Sequence, residues 1–318
     1  MKKNPPERFI GIDISKKSLD IADSLTQQTW QSSHDESGIK NLVEQLIPLN
    51  PVLIVLEATG GLEVHLASAL VEAPLPVAVV NPRHARDFAK ATGQLAKTDT
   101  IYAKVLAHFA AAVRPEVREI KNQETQELAN LVARRRQLVD MLATEKTRLR
   151  QVSKTIRESI QTHIKWLQDC IHDIDKDISK TLKTSSTWRE NDQIIQSVPG
   201  AGPILSVNLL ANVPELGKLN QKQIAALIGL APINRDSGAF RGRRSIWGGR
   251  SHVRSILYMA AISAMNHNPV IREFYQRLTE KGKPFKVVIT ACMRKLLTII
   301  NTMVKTKTHW KENYILNA

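Results

Sequence analysis

Apolar and polar positions follow three different rhythms along the chain. Arg8 to Ile14 is nearly continuous apolar sequence, as a buried strand requires, and Ser18–Ala22 with Thr26–Gln31 read as its hairpin partners. Gly38–Leu46 has the spacing of an amphipathic helix. An apolar strand at Val52–Leu56, a helix at Glu63–Glu72 and a second apolar strand at Val77–Val80 then give the β-α-β order of a parallel sheet covered by helices. The first third, residues 1–115, is expected to be an α/β domain.

Between Pro115 and Pro199 there is neither glycine nor proline, which predicts long helix. Leu149, Val152, Ile156, Ile160, Ile164, Leu167, Ile171, Ile174, Ile178 and Leu182 recur at steps of three and four, the seam of a coiled coil. A single seam does not say whether its partner lies in the same chain or in another subunit. Residues 116–190 are thus expected to be a coiled-coil helical region, and residues 191–318 a mainly helical third domain. That domain opens on Pro199-Gly200-Ala201-Gly202-Pro203 between two helical runs. The turn has a helix-hairpin-helix character, and its backbone amides at Gly200 and Gly202 would suit a phosphate at a helix N-terminus.

Charge adds a partner to this picture. The net charge of the 318 residues is +15, and it is unevenly spread: residues 1–115 hold 12 Lys/Arg against 12 Asp/Glu, residues 116–195 hold 15 against 13, and residues 196–318 hold 18 against 5. A polyanion-binding surface therefore belongs mainly to the last third. No apolar run approaches the roughly 20 residues that span a bilayer, and the N-terminus has no signal-peptide core, which predicts a cytoplasmic protein without a membrane partner. Cys170 and Cys292 stand alone, as buried reduced thiols do.

Two constellations carry candidate chemistry. Asp13 lies inside the first apolar strand and Glu57 ends the strand Val52–Leu56, at the carboxyl edge where open α/β sheets place their sites. Burying either charge alone is costly, and together they suit a hard divalent cation. Asp99 follows Thr98, which can cap the next helix, and is a third acid for the same set. The second constellation runs from Asn234 to Arg250. Arg235, Arg241, Arg243, Arg244 and Arg250, interleaved with glycines and with Phe240 and Trp247, describe a flexible loop able to follow a phosphate backbone. Ser237 sits within it as a candidate nucleophile, although Asp236-Ser237-Gly238 also reads as a plain turn, and no histidine nearby in sequence nominates a base.

These boxes resemble a known family. Gly11-Ile12-Asp13, Glu57-Ala58-Thr59-Gly60, Asn81-Pro82, Lys97-Thr98-Asp99, Ser197-Val198-Pro199-Gly200, Asn234-Arg235-Asp236-Ser237-Gly238 and Ala291-Cys292-Met293-Arg294-Lys295-Leu296-Leu297 are similar, in order, to the DEDD transposases of the IS110 insertion-sequence family, relatives of the Piv-type invertases. The resemblance runs from about residue 8 to about residue 310. It implies an N-terminal RuvC-like (RNase H-like) domain binding Mg²⁺ or Mn²⁺, a coiled-coil insert, and a C-terminal transposase domain with a catalytic serine. It further implies a recombinase guided by a structured bridge RNA that pairs with donor and target DNA, working as a dimer or tetramer. On this resemblance Asp13, Glu57 and Asp99 match the first three acids and Ser237 the nucleophile. The fourth acid would stand three residues after Asp99, where this chain has Tyr102, a neutral phenol poorly suited to Mg²⁺. Two other readings stand beside it: a RuvC-like junction nuclease using metal-activated water, and a catalytically degenerate nucleic-acid scaffold.

Overall fold

A computed structural model of the chain describes residues 6–94, 98–117, 123–234, 236–237, 242 and 244–311. It falls into two compact units, residues 1–122 and 123–318.

The first unit is built on a five-stranded sheet. Strands β1 (Phe9–Ile14), β2 (Ser18–Asp23) and β3 (Thr29–Ser33) form an antiparallel meander, followed by α1 (Glu36–Leu46). Then β4 (Leu53–Glu57), α2 (Glu63–Glu72) and β5 (Val77–Val80) complete a sheet of order β3-β2-β1-β4-β5, in which β1, β4 and β5 are parallel. Helices α3 (Pro82–Ala91) and α4 (Asp99–Val113) close the unit, with Thr98 capping α4 by accepting from the Ile101 amide. The pattern places the five strands, α1 and α2 within a few residues and marks the start of α4 at Thr98, whereas α3 is not among the expected elements. The third strand is the one displaced, because Gln27 takes a left-handed backbone (φ 60°) and the turn after β2 runs on to Gln28.

Alternation along the strands sorts the sheet into two faces. Ile10, Ile12, Ile14, Leu19, Ile21, Ile54, Leu56 and Val77 point to one face and join α1 and α2 in a core. Phe9, Val55, Ala78 and Val80 point to the other, against Leu106 and Phe109 of α4. Along the middle of this second face the contact is very close: Ala22 packs on Ala103 and Ala107. A Cβ on Gly11 would stand 2.2 Å from the Ala107 nitrogen and 2.3 Å from the Ala103 oxygen. Only glycine at position 11 lets the helix lie directly on β1.

In the second unit α5 (Gln123–Leu149) and α6 (Lys154–Thr184) pack on each other, with Arg135 paired to Asp175, and α7 (Ser186–Gln196) follows. The expected seam is interrupted. Leu149 ends α5, Val152 lies in the turn, Ile156 is 54% exposed, and Leu167, Ile178 and Leu182 are buried. Breaks thus occur without glycine or proline, at Ser153 and at Ser185, whose hydroxyl accepts from the Trp188 amide. The neighbour of α6 is α5 of the same chain, and Leu128, Val132, Ile178 and Leu182 share one core with the helices that follow.

Those helices are α8 (Pro203–Asn212), α9 (Gln221–Ile228), α10 (Ser251–His267), α11 (Pro269–Glu280) and α12 (Phe285–Thr306), with a two-stranded hairpin, β6 (Pro232–Ile233) and β7 (Ser245–Ile246), between α9 and α10. Contrary to the sequence expectation, α12 is long and apolar enough to cross a membrane by length and composition. Its Val288, Ile289, Leu296, Leu297 and Ile300 instead form the centre of the second unit's core.

Candidate functional site

Strand register gathers acids at one edge of the first unit. Asp13 on β1 stands opposite Asp20 on β2, and because Ile12 faces Leu56 on β4, Asp13 and Glu57 are the next residues of their two strands. Residues opposite one another share a face, so Asp20, Asp13 and Glu57 form a row across three neighbouring strands, at a spacing of about 5 Å per strand. This is the face that α4 covers, and Asp99 opens that helix above the row. The parallel-strand edge expected from the sequence is where they lie.

The row is electrostatically unfavourable as it stands. Burial, the negative charge of Asp99, and then those of Glu57 and Asp20, push the Asp13 carboxyl up to about 6, against the pull of the Ile14 amide it accepts at 3.1 Å. Glu57 is 7% exposed. Its Oε1 lies 4.0 Å from the Arg86 guanidinium of α3, and its Oε2 is buried without a hydrogen-bond partner. Asp20 is equally buried and accepts from Gln31 at 3.2 Å and from the Thr100 hydroxyl at 3.4 Å. Among the described residues, no three His, Cys, Asp or Glu side chains converge closely enough to hold a metal ion as placed. The acids are an electrostatic cluster, not a formed coordination shell.

Tyr102 stands one turn into α4 with its ring in the core among Phe9, Val55 and Val80. Burial and the adjoining Glu57 carboxylate hold its phenol far above the ordinary tyrosine range, so it is neutral at any physiological pH. Asp20 and Arg86 were missed by sequence reasoning. The signal for Asp20 was a carboxylate in alternation with Leu19 and Ile21, which passes for the solvent side of an ordinary strand until α4 is known to cover that side.

The serine constellation belongs to the second unit. Ser237 is exposed in the segment joining β6 to β7, next to Asp236, whose carboxylate accepts from the Gly242 amide at 3.1 Å. Arg235, Arg241 and Arg243 lie outside the described residues, and Arg244 is exposed. Arg250 departs from the expected role of a free phosphate contact. Both its terminal nitrogens bind Glu215 at 2.7 Å, and the pair is largely enclosed. Nor is residues 245–250 a slack loop: a Cβ on Gly249 would stand 2.3 Å from the Gly229 nitrogen, and the Arg254 guanidinium donates to the Gly248 carbonyl.

The turn between α7 and α8 has a packing role of its own. Gly200 has φ 93°, and a Cβ there would meet Ala264 of α10 at 2.6 Å. Gly202 is exposed at the N-cap of α8 with open space around it. Both line a groove of about 910 Å³ together with Arg135, Arg136, Ser251 and His252, where the N-termini of α8 and α10 meet two arginines.

Comparison with known proteins covers both units. A DEDD-type transposase family model of IS110 matches residues 10–157, and the model described as transposase of the IS116/IS110/IS902 family matches residues 192–276. A pilin gene-inverting protein of Moraxella lacunata is 28% identical over 93% of this chain and 95% of its own, as is that of Moraxella bovis. The transposase of insertion sequence element IS1111A from Coxiella burnetii is 21% identical over 73% of this chain and 70% of its own.

Proposed function

The chain belongs to the IS110/IS116 family of insertion-sequence transposases, and we propose that it cuts and rejoins DNA through a serine–phosphodiester intermediate, guided by a structured RNA of its own mobile element. The observation that carries the reading is the presence of two chemistries in the two units: a charge-strained acidic row in one, an exposed serine in a segment whose sequence is rich in arginine in the other.

In this reading the Ser237 Oγ attacks a backbone phosphorus, its proton passes to a base or to solvent, and the displaced deoxyribose oxygen leaves as a hydroxyl. The phosphoserine ester keeps the energy of the broken bond, so the hydroxyl of a second strand displaces serine and reseals the backbone without a nucleotide cofactor. Asp13, Glu57 and Asp99 are the side chains that would hold Mg²⁺ or Mn²⁺. The set fits such an ion in its chemistry: oxygen donors only, mutually repelling, and largely buried at Glu57. The ion's contribution when bound is to offset charge on the phosphate. Arg244, with Arg235, Arg241 and Arg243 of the same segment, would track the DNA. The groove with Gly200, Gly202, Arg135 and Arg136 offers helix N-termini to phosphates of RNA or DNA. Two or four copies would assemble on nucleic acid in the cytoplasm.

The test incubates the whole protein with end-labelled DNA flanking its gene, with and without the RNA encoded there. Protein-linked DNA on a denaturing gel, absent in Ser237→Ala, is the expected result. Free ends without adduct would instead establish hydrolysis by the nuclease chemistry, and intact DNA a binding scaffold.

A further inference from the structure

We propose that Asp20 is the fourth carboxylate of the acidic site, supplied from β2 in place of the acid that Tyr102 displaces from α4. The inference rests on the reading that Asp13, Glu57 and Asp99 hold a divalent cation.

The geometry carries it in three steps. First, Asp20 is the direct cross-strand neighbour of Asp13, and both side chains leave the same face of the sheet, with Cβ atoms about 5 Å apart. Second, its surroundings do not neutralise it. Asp20 is 7% exposed, yet its two oxygens receive one neutral donor each, an amide at 3.2 Å and a hydroxyl at 3.4 Å. A hydroxyl bound to a carboxylate normally sits at about 2.6 Å, so both contacts leave room for a stronger partner. A buried carboxylate that faces another carboxylate and meets only neutral donors is costly to keep. Third, the opposite end of the row is only weakly satisfied: Glu57, itself 7% exposed, meets the neutral Tyr102 phenol and an Arg86 guanidinium no nearer than 4.0 Å, and its buried Oε2 makes no hydrogen bond of good geometry.

The first turn of α4 explains why the substitution is tolerated. That turn lies over all three strands: Thr100 reaches Asp20, Asp99 acts on Asp13, and Tyr102 adjoins Glu57. Position 102 fills the hydrophobic end of the row, where its ring joins Phe9 and Val55. The charge lost there is regained at the opposite end, on β2.

Mn²⁺ binding to the full chain, read by electron paramagnetic resonance of the free ion, tests the assignment without recourse to activity. Asp13→Asn should abolish binding, and Asp20→Asn should weaken it at least about tenfold. Thr100→Ala, which removes the hydroxyl but keeps the carboxylate, should stay within about twofold of wild type. Equal affinity in wild type and Asp13→Asn would refute the metal reading itself. Loss in Asp13→Asn with wild-type affinity in Asp20→Asn would refute only the role of Asp20. Equal losses in Asp20→Asn and Thr100→Ala would show that Asp20 merely anchors α4. Should Asp20→Asn fail to fold, the carboxyl ¹³C resonance of Asp20 in labelled wild-type protein should move on Mg²⁺ addition, and an unmoved signal would overturn the proposal.

Discussion

Replacing Asp13 by asparagine removes one charge from the acidic row while keeping the side chain's shape and its oxygen for the Ile14 amide. The wild-type carboxyl is raised from 3.8 to about 6 in the folded protein, so the folded state holds that proton more tightly than the unfolded chain does. The stability associated with it is fully present below pH 3.8, is lost progressively between pH 3.8 and 6, and is gone above 6. A rise of this size corresponds to about 3 kcal/mol, and solvent reaching a half-buried side chain reduces this to roughly 1–2 kcal/mol. The asparagine of the Asp13→Asn variant never bears the charge and escapes the loss. Hydrogen exchange of the full chain, followed on peptides from β1 and β4, should show Asp13→Asn protected about tenfold better than wild type at pH 7.5 without divalent ions, where about 1.4 kcal/mol is a factor of ten. After correction for intrinsic exchange, the two proteins should be equal near pH 4. Millimolar Mg²⁺ should then reverse the order, because only wild type gains from the ion. Weaker protection of Asp13→Asn at pH 7.5 would show that the carboxylate is compensated and that the row is not strained.

Four further substitutions test the same structure. Ser237→Ala should lose strand joining by at least about a thousandfold while DNA affinity stays within about twofold, since one exposed hydroxyl makes few contacts; joining at the wild-type rate in a quantitative recombination assay would remove Ser237 from the chemistry. Arg250→Ala should lower the stability of the second unit by about 2 kcal/mol in denaturant unfolding, because the largely enclosed Glu215 loses the guanidinium that both its oxygens bind, and it should leave the salt dependence of DNA binding unchanged, whereas Arg244→Ala should reduce that slope by about one phosphate contact. Gly11→Val should prevent the first unit from folding, measured as loss of exchange protection in β1, because a Cβ at 2.2 Å from the α4 backbone cannot be accommodated by moving a side chain.

Much of this architecture is legible in the sequence because periodicity reports burial. The strands Phe9–Ile14, Leu53–Glu57 and Val77–Val80 are apolar on both faces apart from Asp13 and Glu57, and both faces are covered except at Val79. What escapes is whatever depends on a partner distant in sequence. Arg250 looks like its neighbours until Glu215, 35 residues earlier, is brought against it. The helical stretch from Gln123 to Gln196 shows its length in the absence of glycine and proline. Its division falls at Ser153 and Ser185, residues that also occur inside helices, so no local signal marks the breaks.

The acidic site shows the same limit in sharper form. A family pattern read along the chain asks which residue stands at position 102 and finds a phenol where a carboxylate belongs. The fold asks which carboxylates share a surface, and its answer ignores sequence order: β2 runs back along β1, so Asp20 returns to the side of Asp13 after a reversal of seven residues. Gly11 and the small side chains of Ala22, Ala103 and Ala107 bring α4 down onto that surface, which converts a strand position of ordinary polarity into a buried charge. The cost of burying Asp20 is thus imposed by a glycine nine residues before it and two alanines more than eighty residues after it. A charge kept under such conditions, facing like charges and only neutral donors, is what the proposed cation site would require of the fold when its ion is a separate component.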